Sequence, residues 1–296
     1  GDPLTAANGY VLPNDRVIGI IVDGQPIAIP HNVLWVHEIV NMNLGSVQLA
    51  VTYCPLTGSS LVFDRSSVGG DEFGVSGLLF QSNLIMYNRR TGESLWPQMM
   101  GEARCGPATG TKLTRFPSIE TTWTGWLDLY PETVLPSGQD DVFGGYRVYP
   151  YGNYEDLGSG YNFPMPNLDT RRFPKERVLG IPDGSGIAFP FLSLNELGAF
   201  AAVEAQSVGQ DVVVFWDRAR VAAYAYARTL DGEPISFEAT QDGIFDVGTG
   251  SRWGVDGVAK EGELAGAALD PITSAYVAFW GAWSAFYPNT DLWTRN

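Results

Sequence analysis

RVIGIIVDGQPIAIP, at residues 16–30, is the stretch that decides the fold, because a close copy of it, RVLGIPDGSGIAFP, occupies residues 177–190. In both copies two short apolar runs flank an Asp-Gly pair, which is the strongest short-range signal for a β-hairpin. A proline follows the second apolar run in each copy and ends the second strand. The sequence therefore predicts an internal duplication.

The similarity between the two copies continues past the hairpins with a few small gaps. It includes Val51-Thr52-Tyr53-Cys54 with Val214-Phe215-Trp216-Asp217, Phe63-Asp64-Arg65 with Tyr226-Ala227-Arg228, Trp96 with Trp253, and Leu113 with Leu269. Each repeat is about a hundred residues long, a common size for a domain. We therefore divide the chain into an N-terminal segment (1–15), repeat 1 (16–116), a Pro-, Gly- and Tyr-rich connection (117–175), repeat 2 (176–270), and a C-terminal helix and tail (271–296).

Composition and patterning favour strands over helices. The chain has 35 glycines, 19 prolines and 12% aromatic residues, which is typical of many short strands joined by tight turns. Apolar residues at helical spacing follow each hairpin, and another such pattern from Tyr276 to Tyr287 predicts an aromatic helix packed in the core. We expect a mainly β (α+β) fold of internally duplicated β-rich lobes with short helices and a C-terminal aromatic helix.

The charge and hydropathy of the chain limit its partners. A net charge of -15 opposes binding to nucleic acid, which depends on clustered Lys and Arg. No apolar stretch approaches the roughly 20 residues that a membrane-spanning helix needs. The start at Gly1, without a methionine, is compatible with a processed, exported protein, so we expect an extracytoplasmic location, periplasmic or secreted.

Polar residues that occur in only one repeat are candidates for chemistry, because positions shared by both repeats mostly serve the fold. His37 aligns with Leu197, which places it on the predicted inward face of the first helix. Cys54 aligns with Asp217 at the junction of a strand and a turn. Repeat 1 also has six extra residues around Ser76–Asn83. The differences predict a site in repeat 1.

A thiol paired with an imidazole can act as a nucleophile, because the neighbouring group lowers the pKa of the thiol. We therefore assign Cys54 as the candidate catalytic nucleophile and His37 as its base. The residues expected to line the pocket around them are Tyr53, Ser76, Asn83, Tyr87 and Trp96. No catalytic family motif is present, so the sequence leaves open whether the protein is an enzyme.

Two other classes of function remain open at this point. Cys54, His37 and Met86 could together hold a soft metal, and copper is the cofactor that such ligands favour. Alternatively, the protein is a non-catalytic binding or scaffold protein, with the aromatic residues of the connection as its interaction surface. The expected partner is accordingly an unidentified small molecule or a metal.

Several of these segments resemble a bacterial and archaeal family known as domain of unknown function 3179. The resemblance rests on His37-Glu38-Ile39-Val40-Asn41, Thr52-Tyr53-Cys54-Pro55-Leu56-Thr57-Gly58-Ser59, Phe73-Gly74-Val75-Ser76-Gly77-Leu78-Leu79, Asn83-Leu84-Ile85-Met86-Tyr87 and Ser94-Leu95-Trp96. It implies that His37, Cys54 and the stretch 76–87 belong to the pattern of the family. It also implies an exported protein.

Two structural expectations complete the interpretation of the sequence. Arg65 and Arg228 occupy matching positions in the two repeats and should each have a structural partner, because an unpaired buried guanidinium is strongly unfavourable. The cysteines, Cys54 and Cys105, should not be bridged.

Overall fold

The structure is a computed structural model and describes residues 2–3, 9–90, 92–138, 141, 144–166 and 168–295. Short strands dominate this part of the chain, and its α-helices are only five to seven residues long. The predicted mainly β fold with internally duplicated lobes is confirmed. None of the described helices has the length and apolar content needed to cross a bilayer.

The described residues up to position 135 contain the elements of the first half. In chain order these are β1 (Asp2–Pro3), β2 (Arg16–Val22), β3 (Gln25–Pro30), α1 (His31–His37), β4 (Ile39–Leu44), β5 (Val47–Cys54), β6 (Ser59–Asp64), β7 (Phe73–Phe80), β8 (Asn83–Asn88), β9 (Leu95–Pro97), β10 (Thr114–Arg115), β11 (Ile119–Thr122), α2 (Trp123–Leu129) and β12 (Val134–Leu135). A 3₁₀ turn, Arg65–Val68, follows β6.

The second half begins after a connection that includes a 3₁₀ turn at Gly145–Arg147. Its elements are β13 (Arg177–Ile181), β14 (Ile187–Pro190), α3 (Phe191–Asn195), β15 (Phe200–Ser207), β16 (Gln210–Asp217), β17 (Ala222–Ala227), β18 (Thr229–Leu230), β19 (Glu233–Pro234), β20 (Phe237–Ala239), β21 (Ile244–Asp246), β22 (Arg252–Trp253), β23 (Ala259–Glu261), β24 (Tyr276–Phe279), α4 (Trp280–Phe286) and β25 (Asp291–Leu292).

The two halves repeat the same sheets in the same order. The first half contains a sheet with the order β12-β3-β2-β11, extended by β1 at one edge, and the second half contains β25-β14-β13-β24. In both sheets the hairpin pair is antiparallel, and the final short strand runs parallel to the second hairpin strand. The meanders β4-β5-β6 and β15-β16-β17 also correspond. The duplication is therefore a repeat of architecture as well as of sequence.

Each repeat is longer than the boundaries expected from the sequence. β11, α2 and β12 lie in the predicted connection, yet they correspond to β24, α4 and β25 of the second half. The aromatic C-terminal helix is confirmed, but it begins at Trp280, because Tyr276–Phe279 forms strand β24. The C-terminal helix is thus the last part of the second repeat and the counterpart of α2.

Strands β11 and β24 each pack against the opposite repeat. The amide of Thr122 donates a hydrogen bond to the carbonyl of Arg220 at 3.1 Å, and at the corresponding place the amide of Phe279 donates to the carbonyl of Thr57 at 2.9 Å. These reciprocal bonds relate the repeats by an approximate twofold axis. The two halves therefore share one continuous interface, and residues near the axis meet their counterparts.

The connection between the repeats packs across the first one. Tyr154 donates a hydrogen bond to the carbonyl of Leu56 at 2.9 Å, and Tyr146 is buried. Near its end, the ammonium of Lys175 lies 3.1 Å from the centroid of the Tyr154 ring and 3.7 Å from that of Tyr161. Burial lowers the pKa of Lys175 to about 7. These contacts hold the connection over one side of the interface.

The expectations for the paired arginines and for the cysteines are both met. Arg65 is fully buried and donates to the carbonyls of Leu49 and Gly70 at 3.1 and 2.7 Å. Arg228 pairs with the carboxylate of Asp211 at 3.1 Å. Cys54 and Cys105 are both free thiols, the first buried and the second exposed.

Candidate functional site

Cys54 lies in the interior at the end of β5. Its side chain packs among apolar residues that include Leu84, Met86 and Trp96. The sulfur accepts a hydrogen bond from the amide of Leu84 at 3.3 Å and lies 3.8 Å from the carbonyl oxygen of Ser82. Burial raises the pKa of the thiol. This environment favours the uncharged thiol, whereas a nucleophile needs the thiolate.

His37 lies on the surface, so the prediction that it faces inward is wrong. The buried residues of α1 are those of its first turn, His31–Leu34, and both Val36 and His37 are exposed. The imidazole Nε2 lies 2.6 Å from the hydroxyl of Tyr146. No hydrogen bond joins His37 to Cys54 in the described part of the chain. The predicted helical stripe fails because the helix ends at His37 and the next residues form β4.

The other predicted pocket residues each have contacts of their own. Ser76 donates to the carbonyl of Ile85 at 2.6 Å, which closes a bulge between β7 and β8. Asn83 is buried and donates to Gln98 Oε1 at 2.8 Å, and Tyr87 is half-buried. Trp96 is buried with its indole against Asn88 Oδ1 at 3.2 Å. Each of these contacts serves packing or strand pairing.

The predicted metal ligands are likewise separated by their environments. Met86 and Cys54 are buried in the same apolar cluster, whereas His37 is exposed. Across the residues that the structure describes, no group of three or more His, Cys, Asp or Glu side chains is arranged to hold a metal ion. Nothing in this arrangement favours copper.

The second histidine, His31, occupies a very different environment. It is the first residue of α1, is only 4% exposed, and stacks on the ring of Tyr53 with 4.0 Å between centroids. Its Nε2 lies 3.4 Å from Ser60 Oγ and 3.8 Å from Glu120 Oε2. Burial lowers the pKa of His31 to about 4, although the nearby Glu120 carboxylate opposes this. His31 is therefore neutral at pH 7.

Glu120 is the centre of the polar cluster around His31. One carboxylate oxygen pairs with the guanidinium of Arg16 and lies 3.7 Å from Arg177 Nε, and the other accepts the hydroxyl proton of Ser60. Burial raises the pKa of this carboxyl, but the charge of Arg16, together with those of neighbouring cations, outweighs burial and holds the pKa at about 2. The carboxylate is therefore ionised, and both of its oxygens have partners.

The Ser60, His31 and Glu120 side chains do not form a catalytic triad. In a triad the serine donates to one ring nitrogen of the histidine, and the acid accepts from the other. Here Ser60 and Glu120 both approach the same nitrogen, Nε2, and Ser60 donates its proton to Glu120. The arrangement positions charges and hydrogen-bonding groups but does not activate the serine.

The connection completes the cluster. Arg177 donates to Glu155 Oε2 at 2.7 Å, and the hydroxyl of Tyr53 donates to Glu155 Oε1 at 3.1 Å. Burial raises the pKa of Glu155, but the charge of Arg177 more than offsets this and lowers it overall. Tyr53 was predicted to line a pocket with Cys54, but its hydroxyl belongs to the polar cluster around Glu120 and Glu155.

A cleft of about 450 Å³ opens above this cluster. Its floor includes Arg16, His31 and Arg177, and its walls include Trp35 and Tyr149, whose rings meet edge to face at 5.3 Å. The remaining lining residues are Asn14, Asp15, Thr122, Gly152, Glu155, Asp156 and Val221. Both repeats and the connection thus contribute to one concave surface.

Comparison of the repeats separates the shared part of this cluster from the part that is unique to repeat 1. Arg16 and Arg177 begin the equivalent strands β2 and β13, so the two guanidinium groups are a symmetry-related pair. His31, Ser60 and Glu120 have apolar counterparts, which the strand registers identify as Phe191, Ala223 and Val277. The polar differences between repeats therefore converge at the twofold axis.

Sequence reasoning missed most of these residues, although one signal was available. Pro30-His31 aligns with Pro190-Phe191, so His31 meets the same criterion that selected His37. Glu120 lay outside the aligned region, which ended at residue 116.

The fold and the cleft define a duplicated β protein with a polar, ion-paired cleft where its repeats meet. A family described as "Protein of unknown function (DUF3179)" matches residues 2–290 in its sequence profile, and the chain belongs to this family. The resemblance noted from the sequence is thereby confirmed. Neither a curated protein nor a solved structure matches the chain.

Proposed function

We propose that this protein binds a small, uncharged, polyhydroxylated ligand of the carbohydrate type in the cleft between its repeats. The observation that carries the proposal is the ion-paired cluster at the floor, in which Arg177 spans Glu120 and Glu155. Binding sites are typically concave surfaces of about 300–1,000 Å³ with a few fixed polar groups, and this cleft fits that description.

The charges around the cleft favour a neutral ligand over an anionic one, because Asp15 and Asp156 add negative charge to the lining. Arg16 and Arg177 are compensated by Glu120 and Glu155, so a ligand anion would have to compete with existing pairs. Paired guanidinium and carboxylate groups nevertheless keep unused hydrogen-bonding capacity, because Arg has five N–H donors and a carboxylate has about four lone-pair sites. Hydroxyl groups, which both donate and accept, match such a surface.

The aromatic walls of the cleft offer apolar contact surface for the ligand. Trp35 and Tyr149 stand beside the charged floor and present apolar ring surface together with polar edges. A sugar ring has apolar C–H faces and polar hydroxyl edges, so one ligand can use both walls and floor. Tyr149 and Glu155 come from the connection, which supports the earlier hypothesis that its aromatic residues form an interaction surface.

The other hypotheses drawn from the sequence have less support. Thiol catalysis would need an exposed thiolate, whereas Cys54 is 1% exposed and its pKa is raised by burial. Copper binding would need His37 beside Cys54 and Met86. An extracytoplasmic location stays a prediction that rests on the family resemblance, and cell fractionation would test it.

A ligand panel tests the proposed function directly. Saturation-transfer NMR with neutral monosaccharides and disaccharides, sugar acids and amino sugars should show binding of a neutral member, with little dependence on salt. Arg177→Lys keeps the charge but loses the planar guanidinium that spans two carboxylates, so we expect affinity to fall about tenfold or more.

Arg252→Lys is the matched control, because Arg252 pairs with Glu261 on the surface away from the cleft. It should bind as the unmodified protein does. Preference for a charged panel member, absence of binding by every neutral sugar, or equal effects of the two Arg→Lys changes would contradict the proposal.

A further inference from the structure

A second cavity, of about 150 Å³, lies elsewhere on the interface between the repeats. One side is formed by β2, residues 116–119 and α2, and the other by β17 and the segment that contains Leu269 and Pro271. Most of the lining is apolar or aromatic; it includes Trp126, Tyr130, Tyr224 and Tyr226. The exceptions are Ser118 and the carboxylate of Asp256.

The equivalent place in the other half is filled by the side chain of Arg115. Arg115 pairs with Phe63 across β10 and β6, and Pro271 forms the matching bridge with Tyr226, so Pro271 is the counterpart of Arg115. The guanidinium lies 4.7 Å from the centroid of the Tyr276 ring.

The hydrogen-bond partners of the Arg115 guanidinium fix its position relative to the approximate twofold axis. It donates to the carbonyl of Ser274 and to that of Met99, the latter at 3.3 Å. Tyr276 and Ser274 correspond by strand register to Ile119 and Pro117, which line the cavity. The cavity is therefore the space that an arginine head group occupies in the other repeat.

The cavity also has an acceptor that the protein does not satisfy. The Asp256 side chain is completely buried, and its Oδ2 accepts from the hydroxyl of Tyr130 at 2.8 Å and from the Lys260 ammonium at 2.6 Å. Its Oδ1 has no hydrogen-bond partner among the described residues. Buried polar atoms without partners are rare and unfavourable.

We infer that this cavity binds a small organic cation with a guanidinium or alkylammonium head group. The aromatic lining offers ring faces for a cation, as Tyr276 does for Arg115. The carboxylate of Asp256 supplies negative charge at the lining, which favours a cation. A cavity of this size holds a molecule of roughly benzene size, so methylguanidinium is a suitable probe.

The experiment compares methylguanidinium with methylurea, its uncharged analogue of the same shape, by NMR titration of the full chain. We expect saturable binding of methylguanidinium, with a dissociation constant of about millimolar order for so few atoms, and at least tenfold weaker binding of methylurea. Pro271→Arg should place a guanidinium in the cavity, as Arg115 does in the other repeat, and abolish binding.

Two further variants keep the test decisive if Pro271→Arg does not fold. Pro271→Ala removes the proline without filling the space and should bind normally, and Asp256→Asn should weaken binding at least tenfold. Circular dichroism and thermal unfolding verify that each variant is folded. Equal binding of the two probes, or binding that persists in both Pro271→Arg and Asp256→Asn, would overturn the inference, whatever the outcome for sugars in the cleft.

Discussion

The two histidines of the chain show how far a single residue can be interpreted from sequence. His37 was selected because its counterpart is a leucine, yet it lies on the surface beside Tyr146. His31 passes the same comparison with Phe191 and is buried within an ion cluster. The comparison of repeats was therefore a sound criterion, and the error lay in placing His37, the last residue of a seven-residue helix, on the inward face of that helix.

The neutral state of His31 predicts acid sensitivity of the fold. Its pKa is about 4 in the folded protein against 6.5 ordinarily, so the unfolded chain binds more protons between these values. Stability is therefore fully present above pH 6.5 and is lost as the pH falls towards 4, by up to about 3 kcal/mol. His31→Phe, which installs the residue found in repeat 2, should remove most of this loss, as measured by urea unfolding at several pH values.

His37→Ala is the control for that measurement, because it removes the exposed histidine and leaves the cluster intact. It should keep the pH dependence of the unmodified protein. If His31→Phe loses as much stability between pH 6.5 and pH 4 as the unmodified protein does, the neutral buried imidazole is not the cause of the acid sensitivity.

At the scale of elements, one glycine in each hairpin explains how strand and helix approach each other. A Cβ at Gly19 would lie 2.2 Å from a ring carbon of Trp126, and a Cβ at Gly180 would lie 2.2 Å from the ring of Trp283. The two indoles also make the same hydrogen bond, to Thr133 and Thr290 respectively. The repeated glycine is therefore a packing requirement of α2 on β2 and of α4 on β13.

Gly19→Ala should consequently destabilise the protein by about 1–3 kcal/mol, because overpacking a filled core forces the ring or the backbone to shift. Thermal and urea unfolding would measure the change. Gly158→Ala is the control, since Gly158 has neither a neighbour within 4 Å of an added Cβ nor a positive φ. A Gly19→Ala variant as stable as Gly158→Ala would contradict the packing argument.

The sequence predicted which hairpins and helices form better than it predicted where each strand and helix begins and ends. It predicted both Asp-Gly hairpins, the short helices that follow them and the aromatic C-terminal helix. It did not predict strand β24, because Tyr276–Phe279 continues the aromatic spacing of the helix without a break. Nor did it predict that β11 and α2 belong to the first repeat, although Trp123, Trp126, Tyr130, Pro131, Thr133 and Leu135 are identical, at one constant spacing, to Trp280, Trp283, Tyr287, Pro288, Thr290 and Leu292.

At the scale of the whole molecule, the candidate site depends on contacts that no local pattern encodes. Arg16, Glu120 and Arg177 come from three strands far apart in the chain and meet because β11 and β24 each pack on the opposite repeat. The presence of two repeats could be predicted from the sequence, whereas the packing of strands from each repeat against the other could not. For the same reason, the distinctive sequence around Cys54 predicted a site there, whereas the Cys54 side chain packs in the apolar core.

The most direct test of the account compares Glu155→Gln with Cys54→Ala in the same ligand titration. Glu155→Gln removes the carboxylate that holds Arg177 and Tyr53 at the cleft, whereas Cys54→Ala removes the thiol from the apolar core. We predict that Cys54→Ala binds the neutral sugar identified in the panel as the unmodified protein does, and that Glu155→Gln binds it at least tenfold more weakly. Normal binding by Glu155→Gln together with loss of binding in a folded Cys54→Ala variant would contradict the account.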